Sequence, residues 1–180
     1  MPVVMKRCIL SLVLIIAMAG CRRAPGMPSS PAVEQITAPE IPGLLSAGTN
    51  PVTLVHFWAT WCPPCVREFP DIVRLTKTFR RQGLRVILIS ADAEKDRDAV
   101  SAFLAAHDVD WPTFQADNVN EVFIQAISTN WSGALPASFF YGSDGKLAKE
   151  WEGAHPYAAH DETVRSLLIN GQKGEREHED

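Results

Sequence analysis

Cys62-Pro63-Pro64-Cys65 lies directly behind the apolar run Val52–Trp58 and opens a stretch with helical periodicity. No other part of the chain constrains its fold as much. Val52–Trp58 is nearly continuous in apolar and β-branched residues and too short for a helix, so it reads as a buried central strand. Beyond the second cysteine, Cys65, Phe69, Ile72, Leu75 and Phe79 recur at three- and four-residue spacing. That is one face of a helix reaching Arg80-Arg81 and stopping at Gly83. Pro70 falls inside it and is expected to kink it after the second turn. Leu84–Ser90 is a second buried strand, and the strand–helix–strand order makes the two strands parallel neighbours. The turn after the first strand must then present two thiols three positions apart at a helix start. There the orphan amides and the helix dipole favour a thiolate, and two such sulfurs can close and reopen a small disulfide ring.

The remaining segments extend the same pattern. Ile41–Ala47 forms a short helix ended by Gly48, and Asp96–His107 gives another with Val100, Phe103, Leu104 and His107 on one stripe. Trp111–Ala116 is a short strand, and Val119, Val122, Phe123, Ala126 and Ile127 make an amphipathic helix. Ala137–Tyr141 and Lys146–Trp151 flank the turn Ser143-Asp144-Gly145 as a hairpin. Asp161 caps a last helix carrying Val164, Leu167 and Leu168, ended by Asn170-Gly171. This order predicts an α/β domain over residues 33–171, with a mixed central β-sheet flanked by helices. Residues 172–180 are polar and acidic and are expected to form a disordered tail. A length of 180 residues suits one such domain with extensions, and 46% hydrophobic content supplies its core. The formal charge of −4 argues against a nucleic-acid partner. No phosphate-cradling glycine loop, HExxH motif or nucleophile elbow is present.

The first twenty residues differ in kind. Lys6 and Arg7 precede the apolar stretch Cys8–Met18, and Ala19-Gly20 follow it, which is the make-up of an export signal. From Cys8 to Gly20 a helix would reach only about 20 Å, short of the roughly 30 Å hydrocarbon layer. Met18-Ala19-Gly20-Cys21 also resembles the lipobox of bacterial lipoproteins. That resemblance implies cleavage before Cys21, acylation of its thiol and amine, and a membrane anchor made stable by more than one chain. An ordinary cleaved signal with Cys21 as a spare thiol is the alternative. Residues 21–32, with Pro25, Pro28 and Pro31, would form the tether lifting the domain off the membrane. Of the four cysteines, Cys62 and Cys65 then remain as a vicinal pair. An exported chain with one such pair and no disulfide framework looks catalytic rather than stapled.

The string Val55-His56-Phe57-Trp58-Ala59-Thr60-Trp61-Cys62-Pro63-Pro64-Cys65, followed by Glu68-Phe69-Pro70, resembles the thioredoxin superfamily. Within it, the chain is most similar to the membrane-tethered TlpA/ResA-like thiol–disulfide oxidoreductases. Trp111-Pro112, Gly133-Ala134-Leu135-Pro136 and Ser143-Asp144-Gly145-Lys146 belong to the same resemblance, which covers roughly residues 50–170. It implies a thioredoxin-like fold, a redox-active Cys62–Cys65 disulfide with no further cofactor, and client proteins bearing cysteines or disulfides, such as apocytochrome c or copper-site cysteines. A membrane thiol electron donor would recharge the pair. The location implied is extracytoplasmic, anchored by lipid and facing the periplasm or the cell exterior.

Cys62 is the expected attacking sulfur, since lowering a thiol pKa from about 8.5 toward about 7 raises the thiolate fraction at neutral pH over tenfold. Cys65, one turn inward, resolves the mixed disulfide with the client. The resemblance implies a cis bond at Leu135-Pro136 facing the pair, with the Leu135 backbone open to an extended client segment. Trp61 would shield the disulfide and offer clients an apolar face, whereas Trp58 belongs to the core. Glu68 matches an acidic residue near the thiols of ResA-like proteins, where it would raise their pKa or shuttle a proton; a helix-dipole role is the alternative. His56 departs from the superfamily, which carries Asp or Asn there. It either accepts the proton of Cys65 or is a neutral core histidine. His155, His160 and His178 show no ligand spacing and are expected in solvent. A metal site would need a second CxxC or a histidine pair at ligand spacing, so none is expected. Other functions on this framework are a thiol oxidase or isomerase, a thiol peroxidase and a redox-inert binding module. The peroxidase lacks its PxxxTxxC threonine.

Overall fold

The computed structural model describes residues 32–46 and 50–177. The export signal, Cys21, nearly all of the tether, Ala47 and residues 178–180 lie outside the described residues. The strands are β1 (Val33–Ile36), β2 (Val52–Trp58), β3 (Leu84–Ser90), β4 (Thr113–Ala116), β5 (Ala137–Gly142) and β6 (Leu147–Glu152). The helices are α1 (Ile41–Ser46), α2 (Pro63–Phe79), α3 (Arg97–Ala106), α4 (Glu121–Ile127) and α5 (Tyr157–Glu177).

One six-stranded sheet runs in the order β1-β4-β3-β2-β5-β6. Its first four strands are parallel and its last two antiparallel, the mixed sheet that the strand and helix order predicts. Strand β2 lies between β3 and β5 and is buried along its whole length, as its apolar run requires. Alternate residues of β2 serve two layers. Leu54 and Trp58 face a core with Cys65, Phe69, Ile72, Leu104 and Val164, supplied by α2, α3 and α5. Val55 and Phe57 face the opposite core of Ile41, Phe123, Trp131 and Phe139. Trp58 packs on Phe69 and Phe103 at ring distances of 4.6 and 4.9 Å. Each such ring removed from water contributes about 1.5–3 kcal/mol.

Helix α2 continues through Pro70 to Phe79, buried on the face that carries Phe69, Ile72, Leu75 and Phe79. A 3-10 turn follows it and ends at Gly83, whose φ of +106° is left-handed. A Cβ there would lie 2.8 Å from Pro51, so only glycine fits without strain.

Two expectations need correction. Strand β1 escaped sequence reading because four residues, two of them polar, carry little pattern; its parallel pairing with β4 defines it. Helix α5 starts at Tyr157, not at Asp161, and passes Asn170-Gly171 to reach Glu177. Residues 172–177, expected in a disordered tail, are thus helical. Among the described residues, no helix is long and apolar enough to cross a membrane.

Candidate active site

Where β2 ends, the chain turns through Ala59-Thr60-Trp61 into α2, and Asp92 fixes that turn. Its buried carboxylate accepts the Thr60 N–H at 3.0 Å, the Thr60 hydroxyl, and the Ser90 hydroxyl at 2.6 Å. Because Ser90 ends β3, this links the tips of two neighbouring strands. Nothing in the sequence singled out Asp92; an acidic residue just past an apolar strand is an ordinary loop feature.

Cys62 caps α2 and is joined to Cys65 by a disulfide. Pro63 and Pro64 occupy the first helical positions and have no N–H to offer. The first free amide is that of Cys65, and it donates to the Cys62 sulfur at 3.3 Å. The next, from Val66, donates to the Cys62 carbonyl at 3.0 Å. Cys62 is only 5% exposed and Cys65 is fully buried. Trp61, 63% exposed, projects beside them. Trp61 and Leu135 line one groove of ≈ 400 Å³ together with Asp92, Asp117, Asn118 and Gly133. The Leu135–Pro136 bond is cis, as the resemblance implied, and leads directly into β5.

The acid–base side chains lie on the α2 face of the sheet. Leu54 and Trp58, the neighbours of His56 two residues either way, pack in the core that holds Cys65. His56 points to that face by the alternation of a strand. It is fully buried, opposite Ser138 of β5 in register, and its Nδ1 lies 3.0 Å from the Ser138 hydroxyl. Burial, then the neighbouring His160, pushes its pKa down to about 3, so the ring is neutral at physiological pH.

Glu68 is buried one turn along α2 from Cys65. Burial raises its pKa to about 7; the His155 N–H it accepts at 3.0 Å pulls the other way, and Asp71 adds a smaller upward push. His160 overturns the solvent expectation. Only 1% exposed, it places Nε2 3.4 Å from Glu68 Oε1 and 3.3 Å from the Ser138 hydroxyl. Burial lowers its pKa to about 4. The signal for it was present: His160, Val164 and Leu168 follow at four-residue spacing, one buried helix stripe. Starting the helix at Asp161 hid it. His155 is half-buried against Trp151, at 4.6 Å between rings, and His178 lies outside the described residues. Trp131 packs in the core on Phe57, and Trp151 on Phe140 and His160. Among the described residues no cluster of three metal-ligating side chains occurs.

Residues 44–150 match the AhpC/TSA family. The thiol–disulfide oxidoreductase ResA of Bacillus cereus is 31% identical over 96 residues, which cover 53% of this chain and 51% of that protein. ResA of Bacillus subtilis is 30% identical over 95 residues, covering 53% and 49%. The chain thus spans about half the length of these curated relatives. A thiol:disulfide interchange protein of the thioredoxin family from Chlorobium tepidum superposes with a TM-score of 0.58 at 25% identity. That alignment covers 70% of this chain and 83% of the other. The fold is therefore thioredoxin-like.

Proposed function

The chain belongs to the AhpC/TSA family, and from that premise we propose that it is an extracytoplasmic, membrane-anchored thiol–disulfide oxidoreductase that reduces client proteins through Cys62 and Cys65. The observation that carries this reading is the disulfide at the start of α2, with the Cys65 amide aimed at the Cys62 sulfur. A thiolate on Cys62 keeps that hydrogen bond and gains from the helix dipole, about 0.3–1 kcal/mol for an exposed group and more when partly buried. Cys62 attacks a client disulfide; one client sulfur leaves as thiolate, and Cys65 then displaces the second. Trp61 and Leu135 supply the apolar walls on which an extended client segment can lie, and the cis bond to Pro136 follows Leu135 directly. Recharging requires electrons from a thiol donor in the membrane. The relatives named thiol–disulfide oxidoreductase support the activity, and the lipobox-like Met18-Ala19-Gly20-Cys21 supports the anchor.

Direction follows from the potential. CxxC pairs on this fold range from about −270 to about −120 mV. Titrating the Cys62/Cys65 couple against glutathione or dithiothreitol should place it on the reducing side of that range. A value near about −120 mV would turn the assignment to an oxidase. Fatty-acid labelling that is lost in Cys21→Ala is the result expected for the anchor, and equal labelling of both chains would remove it.

A further inference from the structure

The segment that joins α4 to β5 supplies Gly133 and Leu135 to the groove beside Trp61. Among the described residues, neither the N–H nor the C=O of Leu135 has a hydrogen-bond partner. Open main chain at the mouth of a groove is what an extended segment pairs with. Such pairing is tighter when the stretch is already held in place, because ordering it on binding costs affinity. The edge strand β6 holds it. Alternation along that strand puts Glu150 and Glu152 on one face, opposite Lys149 and Trp151. Glu152 accepts the Ser132 N–H at 2.6 Å through Oε1 and the Ser132 hydroxyl through Oε2. Ser132 Oγ in turn accepts the Ala134 N–H at 3.3 Å. Glu150 Oε1 accepts from Asn130 Nδ2 at 2.8 Å. Directly after Glu152, the Gly153 N–H donates to the Pro136 carbonyl at 2.8 Å. One strand thus grips the segment at Asn130, Ser132 and Pro136, on both sides of Leu135.

We propose that Glu152, seconded by Glu150, is a positioning residue for client capture: its carboxylate holds the segment around Ser132 so that the Leu135 main chain meets an extended client segment in place. This rests on the dithiol reading given above. A carboxylate suits the position because its two oxygens accept at once from the N–H and the O–H of one serine. Bonds to an ionised acceptor are also shorter and stronger than neutral ones. Glu152 and Ser132 are both exposed, so their contact adds little to global stability and its effect falls on binding. The thiol chemistry is held separately. Cys62 receives the Cys65 amide, and the turn before it is fixed by Asp92, so no bond of the β6 clamp touches either cysteine. Loosening the clamp weakens capture of a peptide and leaves the reaction of Cys62 with a small disulfide, which needs no main-chain pairing, as it is.

The probe is a linear peptide whose single cysteine carries nitrothiobenzoate as a mixed disulfide. The reduced full chain is mixed with excess peptide, and nitrothiolate release is followed against peptide concentration in single turnovers. In Glu152→Ala the half-saturating concentration should rise at least about fivefold, with the limiting rate within about twofold of wild type. Dithiobis(nitrobenzoate), which has no main chain to pair, should react at the wild-type rate. Glu152→Gln keeps an acceptor for the Ser132 amide and should recover most of the affinity. Ser132→Ala should also raise the half-saturating concentration, and the two changes together should fall short of the product of their separate effects. An unchanged half-saturating concentration in Glu152→Ala, or fully multiplicative effects in the double variant, would overturn the proposal and leave the dithiol reading intact. Slower reaction of Glu152→Ala with dithiobis(nitrobenzoate) would overturn it too, as a disturbance of the cysteine turn. Wild type that reacts with neither probe faster than a model thiol would remove the dithiol reading and, with it, the role of Glu152.

Discussion

At Cys62 the helix start is unusual in what it lacks. With Pro63 and Pro64 at the first two helical positions, one amide alone, that of Cys65, reaches the sulfur. The dipole then carries more of the stabilisation than a fan of N–H groups would. Cys65→Ser should accumulate a mixed disulfide between Cys62 and client, visible as an added mass lost on reduction; Cys62→Ser should form none. Adduct formation in Cys62→Ser at the wild-type rate would contradict the assignment of the attacking sulfur. Asp92 acts on the same turn from outside it. Asp92→Ala leaves the Thr60 amide and the Ser90 hydroxyl without their acceptor, a loss of about 1–3 kcal/mol in denaturant unfolding. A change within about 0.5 kcal/mol would mean that water replaces the carboxylate.

Helix α5 shows what was legible in the sequence and what was not. The strand–turn–helix around the cysteines could be read because an apolar run and a three- and four-residue stripe meet at one motif. The hairpin of β5 and β6 was legible from its turn residues. His160 was not, because a plausible cap at Asp161 placed it outside the helix, and its burial depends on Glu68 and Ser138, far away in sequence. Strand β1 was lost for the same kind of reason, since pairing with β4, not local pattern, makes it a strand. The observed stripe of α5 is testable. Leu168 is buried and its neighbour Ile169 is 58% exposed. Leu168→Ala should cost about 2–5 kcal/mol and Ile169→Ala less than about 0.5 kcal/mol in the same unfolding assay. At the end of α2, Gly83→Ala should cost more than about 1 kcal/mol, since it adds strain at a left-handed φ and a clash with Pro51.

For the whole molecule, the buried acid and the buried histidines pull stability in opposite directions along the pH axis. Glu68 is raised from 4.5 to about 7, so what its proton contributes is fully present below 4.5 and is lost as pH rises through about 7. His160 and His56 are lowered from 6.5 to about 4 and about 3. Their contribution is present above 6.5 and is lost as pH falls through those values. The stability of wild type relative to Glu68→Gln should therefore decline from pH 4.5 to pH 7, and a flat difference would contradict the buried, protonated carboxyl. The proposed function requires a Cys62 sulfur that is a thiolate at neutral pH. The most direct test is the rate of iodoacetamide alkylation of Cys62 in the reduced, folded protein, followed across pH with Cys65→Ser to isolate it. The account predicts a thiolate pKa about one unit or more below the ordinary 8.5. A titration at or above 8.5, with reactivity no greater than a free thiol, would contradict it.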